Sequence, residues 1–250
     1  MMKPMKIITH DGQFHCDEVL AIALIHEMLG NVPVERTRTI STEDRENPRV
    51  WIVDVGGEYD PSRGLFDHHH NPQLPASCVL VLNHLYENDV IHPHLLVELQ
   101  GNFNVVSEID INGPTQYNGW QVNSLIKGFN SLEGGFGLAW TTLQNYIAYA
   151  KDTVEKMHMS QQIWDNAEEI SLHIKYVEEF PIHWKRYEEH PFLIFKDGDK
   201  YKVLSRDSNE FPITGTGREE FIHNAKFIAV FSNKEDAVEC AQRSASNIFE

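Results

Sequence analysis

A chain of 250 residues with 41% hydrophobic and 10% aromatic content is long enough to bury one large core or two modest ones. Its 21 Lys plus Arg stand against 37 Asp plus Glu, a net charge of −16, so the overall field repels a nucleic-acid backbone and any anionic ligand has to be met by local cations. The longest apolar run, 19–25, is too short to cross a bilayer, no signal-peptide pattern opens the chain, and the three cysteines form no Cys-x-x-Cys pair; the expectation is a cytoplasmic protein with reduced thiols and no membrane contact.

In chain order, "KIIT" (Lys6 to Thr9) predicts a strand, 17–29 a helix and "VWIVDV" (Val50 to Val55) a second strand, the alternation of an α/β sheet. Between the first strand and helix, "ITHDGQFHCDEVLAIAL" crowds His10, Asp11, His15, Asp17 and Glu18 beside apolar residues, at a desolvation cost that a divalent cation would offset. "GLFDHHH" predicts a short strand ending in polar residues, "ASCVLVLNHLYEN" a buried helix, and "NFNVVSEIDING" an approach to another acidic turn. His10, Asp54, His68 and Asp110 each follow an apolar run, where ligands collect in open α/β sheets.

The Gly-rich break "NSLEGGFG" separates domain 1–134 from 135–250, which opens with a helical stretch expected from Leu138 to about Phe180. "YVEEFPIHWKRYEEH" suggests packing between domains, and "GTGREEF", lacking the rest of a nucleotide loop, reads as a turn. Strands at "FLIF", "KYKVLS" and "KFIAVF" precede a final helix, with Ser232 and Glu235 spaced as a capping box.

Six side chains, His10, His15, Asp17, Asp54, His68 and Asp110, form a nitrogen-and-oxygen ligand set that suits Mn²⁺, Mg²⁺, Fe²⁺ or Zn²⁺ in a hydrolytic two-metal site better than a structural zinc. Arg36 and Arg38, on alternate positions of a strand, are candidate phosphate clamps.

The strings "THDGQFHCDE", "VDVGGEYD", "DHHH" and "EIDING", supported by "ERTR" and "ASCVLVLNHLY", resemble the MYG branch of the DHH phosphoesterase superfamily, strongly to about Gly113 and loosely afterwards. The resemblance implies a parallel-sheet metal domain, a helical connector and a smaller α/β C-terminal domain, with substrate in the cleft between. It implies that His10 and His15 hold one ion, that Asp17, His68 and Asp110 hold another, and that Asp54 bridges them. Asp67 would orient the histidines after it, His69 would act on the substrate as proton donor or phosphate contact, and His84 lies in a matching segment as a substrate contact, against the alternative of a core residue. Two divalent ions, manganese foremost, would support 3′-to-5′ exonuclease action on RNA or short oligonucleotides, and a homodimer is allowed. The alternatives are a small phosphoester or pyrophosphate hydrolase and a non-catalytic module that retains the metals.

One departure stands out. Where DHH relatives carry a Gly-Gly-His loop, this chain has Ala229, Val230 and Phe231, whose side chains block close backbone approach. Phe231 is expected either to stack on a base or to pack beneath the final helix, and long nucleic-acid backbones are expected to be gripped poorly.

Overall fold

Runs in which every side chain is apolar must be covered on both faces, and the first sheet obeys this. In the computed structural model, which describes residues 2–114, 122–182, 184 and 190–249, the chain divides into two compact units, Met1–Val154 and Glu155–Glu250. The first contains β1 (Lys6–Thr9), α1 (Cys16–Leu29), β2 (Val34–Arg36), α2 (Thr42–Glu46), β3 (Val50–Val53), β4 (Tyr59–Asp60), β5 (Leu65–Phe66), α3 (Ser77–Glu87), α4 (Pro93–Asn112), α5 (Val122–Gly128) and most of α6 (Gly135–Asp165). Its sheet has the order β2-β1-β3-β5-β4, parallel except for β4 against β5. Ile7, Trp51, Val53 and Phe66 face the helices, while Ile8, Val50, Ile52 and Leu65 pack on the opposite face with Ile40. The helix α1 lies in the core, buried from Cys16 through His26.

The second unit contains β6 (Glu168–Ser171), β7 (Ile174–Val177), β8 (Phe192–Asp197), β9 (Lys200–Ser205), β10 (Phe221–Ile222), β11 (Ile228–Phe231) and α7 (Lys234–Phe249). Its sheet, ordered β10-β11-β9-β8-β7-β6, is antiparallel apart from β7 beside β8. The architecture is therefore α/β, with a mainly parallel first sheet, a mixed second sheet and a helical segment between them in the sequence.

Several elements differ from expectation. "NFNVVSEIDIN" is the C-terminal half of α4, because Leu95, Leu99, Phe103 and Val106 recur at three to four residues and bury one helical stripe. The helix expected over 138–180 begins at Gly135 and stops at Asp165; beyond it Ile170, Ile174 and Tyr176 point into the second core with a strand's alternation. The Gly-rich break thus opens α6, and the boundary between the compact units falls within that helix, at Val154/Glu155 rather than 134/135. At the start of α7 the cap is Asn233, whose Oδ1 accepts from Asp236 N at 2.9 Å; Ser232 instead bonds Glu220. Much of "FPIHWKRYEE" lies outside the described residues.

Candidate metal centre

The parallel strands β1, β3 and β5 end side by side, and each delivers ligand-type side chains just beyond its last residue: His10, Asp54, and Asp67 with His68 and His69. Asp54 leaves β3 with a positive φ of 57°, a conformation aspartate tolerates better than most residues, and Gly56 and Gly57 continue the turn at positive φ. Asp17 and Glu18 join from the first turn of α1 and Asp110 from the last turn of α4, so Asp110 arrives from a helix end and not from a strand.

The side chains gather in three overlapping sets, each with its ligand atoms within 4.8 Å of one another: His10, His15, Glu18 and Asp54; Asp54, His68 and His69; and Asp17, His68 and Asp110. Asp54 and His68 are each shared by two of these sets. His10 Nε2 lies 3.0 Å from Glu18 Oε1 and 3.6 Å from Asp54 Oδ2. His68 Nε2 lies 3.3 Å from both Asp54 Oδ1 and Asp110 Oδ2. All six sequence-predicted ligands meet here, and Glu18 joins them.

These groups fit a divalent cation. His10 donates its Nδ1 proton to the Asp11 carbonyl at 2.9 Å, which in the neutral ring leaves the Nε2 lone pair facing the carboxylates. His10 Nε2, Glu18 Oε2 and His68 Nε2 are buried without a hydrogen bond of good geometry. Burial, followed by the charges of Asp54 and Asp110, pushes the Asp17 carboxyl well above the usual range, and burial raises Glu18 as well. Glu18 draws His10 up to about 9; for His68 burial works downward, but Asp110 and Asp54 prevail and raise it to about 10. Protons thus balance charge that a cation would otherwise balance.

Surrounding contacts hold the cluster in place. Ser77 N and Cys78 N, at the start of α3, donate to the two oxygens of Asp17 at 3.0 and 2.7 Å, and Ser77 Oγ donates to Asp54 at 3.2 Å. Asp67 accepts from Gly57 N at 2.6 Å and from His69 N and Nδ1 at 3.0 and 2.7 Å. Burial would raise the Asp67 carboxyl, but these amides and the imidazole hold it below the ordinary value. Asp67 therefore orients His69, while His68 takes Asp54 and Asp110. The loop bearing the first two histidines is clamped by Asn130, which pairs with both Phe14 N and Phe14 O at 2.9 and 2.8 Å.

The remaining predicted residues separate. Arg38 is exposed, pairs with Asp11 at 3.1 Å, and lines a cavity of about 220 Å³ with His10, His15, Asp54 and His69. Arg36 instead lies over the rings of Phe14 and Phe136 and donates to Gly12 O at 2.9 Å, a role in holding the loop. His84 packs at 5.5 and 5.1 Å from the rings of Trp51 and Phe66, burial lowers its pKa, and it joins none of the three sets; α3 turns it against the sheet. Phe231 is fully buried with Ala237, Cys240 and Ala241 of α7, so it cannot stack on a base. Glu18 was legible as a ligand from its place three residues after His15, one helical turn on; Ser77 and Asn130 carry no comparable signal in sequence.

A family profile described as "Uncharacterised protein family (UPF0160)", MYG1_exonuc, matches residues 6–77, short of the expected limit at Gly113. The chain is 46% identical over 69 residues to the human protein named MYG1 exonuclease, a match covering 28% of this chain and 18% of that protein. The MYG1 protein C27H6.8 of Caenorhabditis elegans is 27% identical over 195 residues, 68% of this chain and 54% of the relative. The matches thus span well under two thirds of these relatives' length. Among solved structures, the pGpG-specific phosphodiesterase PggH from Vibrio cholerae aligns over 99% of both chains with 13% identity and a TM-score of 0.38.

Proposed function

We propose, from the match of residues 6–77 to the MYG1 (UPF0160) family profile, that this chain is a metal-dependent phosphodiester hydrolase, a 3′-to-5′ exonuclease whose substrates are RNA ends and short oligonucleotides. The observation that carries the reading is the buried cluster that shares Asp54, with imidazole nitrogens lacking good hydrogen bonds aimed at carboxylates. His10, His15, Glu18 and Asp54 would hold one divalent ion and Asp17, Asp54, His68 and Asp110 a second, with manganese first and magnesium, iron or zinc as substitutes. When bound, such a pair neutralises phosphoryl charge and brings the pKa of a water toward neutrality.

The chain supplies the rest. Asp67 holds His69 by Nδ1, leaving Nε2 of this exposed ring to donate a proton to the departing oxygen. Arg38, at the rim of the same cavity, is placed to pair with a non-bridging phosphate oxygen. The charge of −16 favours short substrates, because a long polyanion meets repulsion away from the centre. The test is to strip the protein with chelator, restore Mn²⁺, Mg²⁺ or Zn²⁺ separately, and assay labelled RNA, DNA, dinucleotides and pyrophosphate. Release of nucleoside 5′-monophosphates is expected. Release of phosphate from pyrophosphate alone, or no turnover with any metal, would overturn the reading.

A further inference from the structure

The two ends of the side-chain cluster differ in chemistry. His10, His15, Glu18 and Asp54 offer two imidazole nitrogens and two carboxylates. Asp17, His68 and Asp110 are completed by Asp54, whose Oδ1 lies 3.3 Å from His68 Nε2, and so offer one imidazole and three carboxylates. Asp54 divides its oxygens between the ends, with Oδ2 turned to His10 at 3.6 Å and Oδ1 to His68. The amides at the start of α3 draw charge from the second end, because Ser77 N and Cys78 N donate to both oxygens of Asp17 and Ser77 Oγ donates to Asp54 Oδ1. At the first end Glu18 gives one oxygen to His15 N at 2.8 Å and keeps the other, Oε2, buried without a hydrogen bond. Imidazole nitrogen selects zinc and ferrous iron, whereas a carboxylate-rich set suits manganese and magnesium, which keep bound water. Mixed nitrogen and carboxylate donors, four in number, also match what zinc takes from protein side chains.

Resting on the hydrolase function proposed above, we infer that the centre is built for two different ions: Zn²⁺ or Fe²⁺ held by His10, His15, Glu18 and Asp54, and Mn²⁺ or Mg²⁺ held by Asp17, Asp54, His68 and Asp110. Mn²⁺ fills both positions only when it is the sole ion supplied. His15 sets the difference, since it is the second imidazole that the other position lacks. It is exposed, on the wall of the cavity that it shares with Arg38 and His69, so it can be replaced without disturbing the core.

Metal content tests this without turnover. Chelator-stripped protein is given enough Zn²⁺ for both positions in a large excess of Mn²⁺ and is then desalted; elemental analysis should find one zinc and one manganese per chain. The electron paramagnetic resonance spectrum should be that of an isolated Mn²⁺ ion, and should become that of a coupled pair when Mn²⁺ alone is supplied. His15→Asp should lose the zinc and take manganese in its place, giving the coupled-pair spectrum from the mixed solution. Asp110→Asn should do the reverse, losing manganese and keeping zinc. A loss of structure would lower both metals together, so opposite losses separate ion selection from folding. Two ions of one kind in the wild-type chain from the mixed solution, or parallel losses in the two variants, overturn the inference. If the mixed-metal protein forms but cleaves no oligonucleotide, the hydrolase function fails and the inference stands; if protein holding two ions of one kind from the mixed solution cleaves RNA, the function stands and the inference fails.

Discussion

Asp54 combines two properties that are rarely found together, a left-handed backbone and a buried carboxylate shared between histidines on either side. A non-glycine residue held there costs about 1–3 kcal/mol, which marks the position as one the surroundings impose. Asparagine tolerates the same conformation, so Asp54→Asn tests the carboxylate with little backbone penalty. We expect it to lose at least one bound ion by elemental analysis and to abolish hydrolysis; full metal content would remove Asp54 from its bridging role. His69→Ala should keep its metals and slow turnover by roughly 10²–10⁴-fold, the scale of general acid catalysis. The protonation of His10 and His68 gives a pH prediction. With pKa values raised to about 9 and about 10, both rings are charged at neutral pH in the metal-free chain. Their ion pairs stabilise that form fully below the unfolded value near 6.5, and the contribution is lost as pH rises through 9 to 10. A cation needs the neutral rings, so binding should expel protons and tighten as pH rises. Calorimetry in two buffers of different ionisation heat would reveal the release, and identical heats would refute it.

At the scale of elements, the centre depends on chain ends that are pinned from a distance. The loop between β1 and α1 has no regular hydrogen-bond ladder, and Asn130 supplies both partners of Phe14 across 116 residues of sequence. Asn130→Ala should cost about 2 kcal/mol in unfolding free energy, from two lost bonds to a buried residue, and weaken metal binding by about tenfold. Unchanged metal affinity would show that the loop holds itself. In the second unit, β11 places Phe231 under α7, and a fully buried phenyl ring there is worth about 3–5 kcal/mol on truncation to alanine. Denaturant unfolding of Phe231→Ala should show that loss, whereas Phe231→Leu should be milder, and Phe231→His should leave preference for substrate length where it was.

Across the whole molecule the net charge of −16 opposes the approach of polyanions, and the local cations at the candidate centre are few. Such repulsion is long-ranged and is screened within about 8 Å at physiological ionic strength. Turnover of a twenty-nucleotide RNA, measured against a dinucleotide, should therefore rise as salt increases from 20 to about 150 mM, opposite to the fall seen when basic proteins release counterions. A ratio that falls with salt would point to a basic track along the protein and against the preference for short substrates.

The sequence by itself determined the ligand chemistry and the strands that present it. Apolar runs ending in His10, Asp54 and His68 are local patterns, and the period of two or of three to four residues that marks a strand or a helix is written in neighbouring residues. Local pattern is also why α1, α3 and the strand at 65–66 were legible, and why a missed alternation at Ile170, Ile174 and Tyr176 was the error that lengthened α6. Only the tertiary structure decided which residues share a site. Asp110 reaches His68 from the end of a helix, Glu18 turns from a capping position into the cluster, Arg36 is taken up by two phenylalanine rings, and Asn130 holds Phe14 across 116 residues of sequence. Contacts of that separation depend on how helices pack over a sheet, and packing is set by the shape of the whole core, which no window of sequence contains.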